Sequence, residues 1–165
     1  MEAKIDLLPR YEVLEHTADV GLRAFGETPE DTFTIMAVGM VKLILSSDSH
    51  VSCAEERPVE VKGYDLESLM VAWLSELLFQ IYSEGFIPAT VKNTEIQEPR
   101  NSTADSREYS LSAVISGERF RPEAHQLVLE IKGVTYHLLK VEHLGAPGRT
   151  PDNRVGWCAQ VILDI

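Results

Sequence analysis

Residues 65–81, "DLESLMVAWLSELLFQI", decide the fold. Leu66, Leu69, Met70, Trp73, Leu74, Leu77, Leu78 and Ile81 recur in alternating steps of three and one, which puts them on one face of an α-helix. Asp65, just ahead of the run, can cap it by accepting a hydrogen bond from a first-turn amide. Val71, Ala72 and Phe79 add apolar atoms on the far side. A helix that is apolar over most of its circumference must be covered from more than one direction.

An earlier segment repeats the pattern. Thr28 is an N-cap, Pro29 suits the first turn, and Glu30 and Asp31 favour the positive end of the helix dipole. Phe33, Met36, Ala37, Met40, Val41 and Ile44 form its stripe, and Ile35, Val38 and Leu43 widen it. Ser46–Ser49 ends it. Two such helices predict a central helical layer with sheet on both faces. Period-two alternation predicts short strands over 11–16 and 20–25, flanking a turn at Thr17–Asp19, and another over 57–63. Further strands are expected over 86–97, 107–117, 127–131, 134–143 and 155–164. Polar or Gly/Pro-containing surface loops are expected over 98–106 and 144–153. The fold class is therefore α+β, with β-sheets packed around two mostly buried helices in one layered domain over residues 1–165.

Composition narrows the function classes. Apolar residues make up 44% of the 165, and no apolar run reaches the roughly 18–20 residues that span a bilayer. The opening "MEAKIDLLPR" has no segment of signal-peptide length, so a soluble, cytoplasmic chain without membrane association is expected. The two cysteines, Cys53 and Cys158, form no metal or redox motif. A net charge of −11, with no basic run, argues against direct nucleic-acid binding. It favours a basic protein or a cation as partner.

The stock signatures of nucleotide binding, acyl transfer and zinc peptidases are missing from the sequence. What remains is a set of scattered acids and histidines. Asp19 lies in a turn, where its carboxylate can bond the local backbone or ligate a hard cation. On a final strand, Asp164 projects opposite to Leu163 and Ile165, and the terminal carboxylate of Ile165 can turn toward it. Three negative charges at one sheet end repel one another unless a cation sits between them. His16 can hold a backbone carbonyl or support an acid or metal site. Lys132 is either a solvated strand residue or a cation near the acids. Asp65 is most simply the helix cap.

The motifs in order resemble the archease family. "YEVLEHTADVGLRAFGETPEDTF" (11–33) looks like its opening, and "DLESLMVAWLSELLF" (65–79) is similar to its second helix. "IKGVTYHLLKVE" (131–142) and the closing "VILDI" (161–165) match its late strands. The resemblance implies a protein cofactor of the RtcB-type RNA ligase, which seals a 2′,3′-cyclic or 3′-phosphate end to a 5′-hydroxyl end in tRNA splicing and RNA repair. It implies promotion of ligase guanylylation and of multiple turnover, with no catalysis by the cofactor itself. It also implies a divalent-metal site at Asp19, Asp164 and Ile165, holding calcium in crystals and magnesium or manganese in use. Lys132 carries over with a functional role, and His16 and Asp65 as supporting or partner-contacting residues. A general chaperone or adaptor and a metal-dependent hydrolase are the rival classes.

Overall fold

The computed structural model describes residues 10–15, 18–99, 107–145 and 156–165. Both helices start at their expected caps. Thr28 accepts the Asp31 amide through its hydroxyl at 3.1 Å, and α1 spans Pro29–Ile44. Asp65 and Ser68 form a reciprocal capping box ahead of α2, Leu66–Tyr82, with the Ser68 amide donating to Asp65 Oδ1 at 2.7 Å. Hydrogen bonds from Ser68, side chain first and backbone second, hold the Asp65 carboxyl below its ordinary range. Among the described residues no helix is long and apolar enough to cross a membrane.

Among the described residues, seven strands form two antiparallel sheets. β1 (Tyr11–Glu15), β2 (Asp19–Gly26), β7 (Gly156–Asp164) and β6 (Gly133–Gly145) are ordered β1-β2-β7-β6. β3 (Glu55–Gly63), β5 (Tyr109–Arg119) and β4 (Phe86–Gln97) are ordered β3-β5-β4. Both helices touch strands of both sheets, so the helical layer lies between them, as their two-sided apolar stripes require. Trp73, fully buried, donates its indole N–H to the Phe33 carbonyl at 3.1 Å and ties α2 to α1. Gly63 lets α2 start directly against β3, because a Cβ there would lie 2.4 Å from the Leu69 amide nitrogen.

β6 is an edge of its sheet, and both ends of α2 close onto the chain around it. Glu67 accepts the Val141 amide at 3.2 Å, and the Tyr82 hydroxyl accepts the Ile131 amide at 3.0 Å. Side-chain acceptors thus occupy donors that would otherwise invite another chain.

The strand expected over 127–131 does not form. Leu127 makes one isolated bridge to Leu45. The amides of Val128 and Leu129 instead donate to the Ile44 carbonyl, at 2.8 and 3.4 Å. The apolar run is used to close the open C-terminal turn of α1.

Next to that segment, His125 is buried between Arg121 and Glu118. Its Nδ1 accepts the Arg121 amide at 2.9 Å, so the neutral ring carries its proton on Nε2 and donates to Glu118 Oε1 at 3.0 Å. Glu118 also accepts the Ser52 amide and hydroxyl at 3.0 and 2.9 Å. These bonds, the Ser52 amide above all, bring the Glu118 carboxyl down to about 2 from an ordinary 4.5. A carboxylate lowered in the folded state contributes stability above its unfolded pKa and loses it as pH falls through the folded one. The urea midpoint of the wild type is therefore expected to fall relative to Glu118→Gln as pH drops from 4.5 to about 2, with a constant gap above that window. Parallel midpoints throughout would show that the pair carries no such linkage.

Candidate functional site

β7 is paired on both sides, and its last step sets the site. Asp164 is the register partner of Asp19 on β2 and of Gly133 on β6. Ala159, Val161 and Leu163 belong to the core against the helices, so Gln160, Ile162 and Asp164 face the other way. Directly opposite residues share a face with Cβ atoms about 4.5–5.5 Å apart, so Asp19 and Asp164 project together from the side of the sheet away from the helices. Asp164 is exposed and Asp19 half-buried. Two like charges so placed destabilise the strand pair unless something positive lies between them.

Lys132 enters from the neighbouring strand's approach. Its amide donates to the Asp164 carbonyl at 2.7 Å, which continues the ladder by one step. Its ammonium donates to the Ile165 main-chain oxygen at 3.1 Å. Asp19, Asp164, Ile165 and Lys132 therefore meet at one sheet end. Asp65 does not join them, because it caps α2 beside Glu67, which binds the far end of β6 at Val141. His16 lies outside the described residues.

The oxygens brought together are the carboxylates of Asp19 and Asp164, with the Ile165 main-chain oxygen beside them. That chemistry fits a hard cation such as calcium, magnesium or manganese and not a thiophilic one. Among the described residues no three His, Cys, Asp or Glu side chains gather closely enough to hold a metal. A cation here would rest on two side chains and a main-chain oxygen, with water completing its shell, as magnesium commonly permits.

The strand expected over 134–143 hides a feature that the sequence does not signal. Thr135 pairs with Ile162, but the next β6 partner, Lys140, pairs with Gln160. The residues between them form a bulge, with Leu138 at φ +53. A leucine in that left-handed region costs on the order of 1–3 kcal/mol. Gln160 Nε2 donates to the Leu138 carbonyl at 3.1 Å, and Gln160 Oε1 accepts the Arg23 guanidinium at 2.6 Å. Arg23 in turn pairs with Glu12 at 3.7 Å, so a polar ladder crosses all four strands and fixes the bulge.

Comparison with known proteins gives one consistent result. The sequence model of the Archease protein family (MTH1598/TM1083) matches residues 11–165. The chain is 40% identical to Protein archease of Methanosarcina mazei over 94% of its own length and 96% of the relative's. It is 36% identical to Protein archease of Pyrococcus abyssi, covering 96% and 100%. The solution structure of Methanobacterium thermoautotrophicum Protein 1598 aligns with a TM-score of 0.71 at 30% identity, covering 96% of this chain and all of that one.

The opposed carboxylates have a measurable consequence. In chelator, Asp164→Asn is expected to unfold at the same temperature as the wild type or higher, because a like-charge pair is removed. Millimolar manganese or calcium should raise the melting temperature of the wild type and leave that of Asp164→Asn nearly unchanged. An equal rise in both, read by thermal shift, would place the cation elsewhere.

Proposed function

The chain belongs to the archease family, and from that premise we propose that it is a protein cofactor of an RtcB-type RNA ligase. That ligase joins 2′,3′-cyclic or 3′-phosphate ends to 5′-hydroxyl ends, in cytoplasmic tRNA splicing and RNA repair. The cofactor promotes guanylylation of the ligase's own histidine and so allows repeated turnover. It does not catalyse the joining.

The observation that supports this best is the alignment of Asp19, Asp164 and the Ile165 main-chain oxygen at one sheet end. Asp19 and Asp164 would hold a divalent cation, with the terminal carboxylate as a further donor. A cation held there would supply positive charge for nucleotide phosphates in the ligase pocket. Lys132 keeps the chain end in place by bonding its oxygen. Over the whole chain, the excess of acidic over basic side chains, 26 against 15, suits a partner whose RNA-binding face is basic. An adaptor role is the second reading, favoured by the exposure of Tyr136 and Leu138.

A guanylylation and ligation assay of the cognate ligase separates the two. Wild type is expected to stimulate both steps. Asp19→Asn and a C-terminal Gly-Ser extension should each lose roughly tenfold or more of that stimulation, about 1.4 kcal/mol, while remaining folded. Equal stimulation by all three would discard the acidic end as the acting part. No stimulation by wild type would discard the cofactor role.

A further inference from the structure

We propose that the cleft between α1 and β4 binds a small amphipathic carboxylate, a hydrocarbon body with a single anionic head. The inference is independent of the cofactor role and of the acidic sheet end. Three observations carry it.

The first is the cleft itself. Early in α1, the Thr34 and Thr94 hydroxyls are bonded at 2.8 Å and hold the helix to β4. Further along the helix the register of β4 against β5 shifts between Pro88 and Thr90, and the ladder passes over Ala89. Such a bulge bends its strand. Helix and strand stand apart there, and a cleft of about 520 Å³ lies between them. It reaches down to Ala37 and Leu77, both fully buried. Packed interiors leave few voids larger than a water molecule. Small-molecule sites occupy roughly 300–1,000 Å³, so this cleft is of ligand size.

The second is the chemistry of its lining. Val38 and Val41 of α1 and Pro88 and Val91 of β4 make the walls apolar. Lys42 also lines the cleft, is exposed, and makes no ion pair among the described residues. Ser46 and Ser49 lie beside it. Their hydroxyl oxygens accept the amides of Asp48 at 3.3 Å and Gln126 at 3.0 Å. Neither hydroxyl donates to any group among the described residues, so each keeps a proton to offer. The lining contains no aspartate or glutamate. An apolar interior with one cation and hydroxyl donors at its mouth selects a molecule with an apolar body and an anionic head.

The third is the charge available. Lys42 lies in the last turn of α1, where it offsets the negative end of the helix dipole. A single ammonium balances a single negative charge. A phosphate monoester carries nearly two, and is suited to several cations or to a helix N-terminus. The helix end at this cleft is the opposite one. The head group that fits is therefore a carboxylate.

The test is calorimetric titration of the full chain with decanoate, hexanoate, decanol and decyl phosphate, each below its micelle concentration. Decanoate is expected to bind in one-to-one ratio, roughly tenfold or more tightly than either hexanoate or decanol. Lys42→Ala changes an exposed side chain and should keep the wild-type melting temperature. It should bring the affinity for decanoate down to that for decanol. Val38→Phe fills the cleft from a half-buried position and should abolish binding of all four, with a melting temperature at or above that of wild type. Where Val38→Phe fails to fold, Lys42→Ala and the ligand series decide alone. Unchanged decanoate affinity in Lys42→Ala overturns the site as assigned, and so does the absence of wild-type binding. Tighter binding of decyl phosphate than of decanoate overturns the carboxylate assignment. A wild-type dimer that Val38→Phe dissociates overturns the proposal in favour of a second copy of this chain.

Discussion

The pairing of β7 on both sides is the constraint on which the rest of the molecule depends. The last strand inserts between β2, near the start of the chain, and β6, just before it. Its inner residues, Ala159, Val161 and Leu163, close the core over the helices. Its outer residues carry the polar features. One register decides both, since a slip of one residue would turn Leu163 outward and Asp164 into the core. The burial of that inner row is therefore what holds two carboxylates side by side against their repulsion. Core packing provides the stability, and the sheet end spends part of it on charge placement.

The same logic explains why the helical layer matters to the site. Each helix lies between the sheets and is apolar on two sides, so the sheets cannot slide without exposing one stripe. α2 reaches over the edge of β6 with Glu67 and Tyr82, and these fix the edge at both ends of the helix. Between those anchor points the edge is left to bulge outward at Tyr136–Leu138. Supported at both ends, the protrusion is part of the fold and not a frayed strand.

Much of this was legible from residues alone. The caps at Thr28 and Asp65, the two-sided stripes and the burial of Trp73 all follow from local rules whose partners lie within a few positions. Strand positions were legible to within a few residues, because period two needs only the pattern. The pairing of Asp19 with Asp164 was suggested by charge and by family resemblance, yet the register that opposes them depends on long-range pairing that no local pattern encodes. The bulge was hidden because "VTYHLLKV" contains no glycine or proline to mark the break, and Leu138 adopts its left-handed conformation through bonds from Gln160. The run at 127–131 misled for the opposite reason, since its apolar side chains read as a strand while its amides serve the end of α1. The His125–Glu118–Ser52 cluster was also out of reach, because its members come from separate segments joined only in space.

Pairing of β7 brings Asp19 and Asp164 together at one sheet end, where the proposed function has them hold a divalent cation. Titrating manganese into isotope-labelled protein and following amide signal loss tests it most directly. Paramagnetic broadening is expected first at Asp19–Val20, Lys132–Gly133 and Leu163–Ile165, the residues aligned across β2, β6 and β7. The same signals should survive in Asp164→Asn. Broadening centred on another acidic patch, or spread evenly over the surface, would contradict the claim.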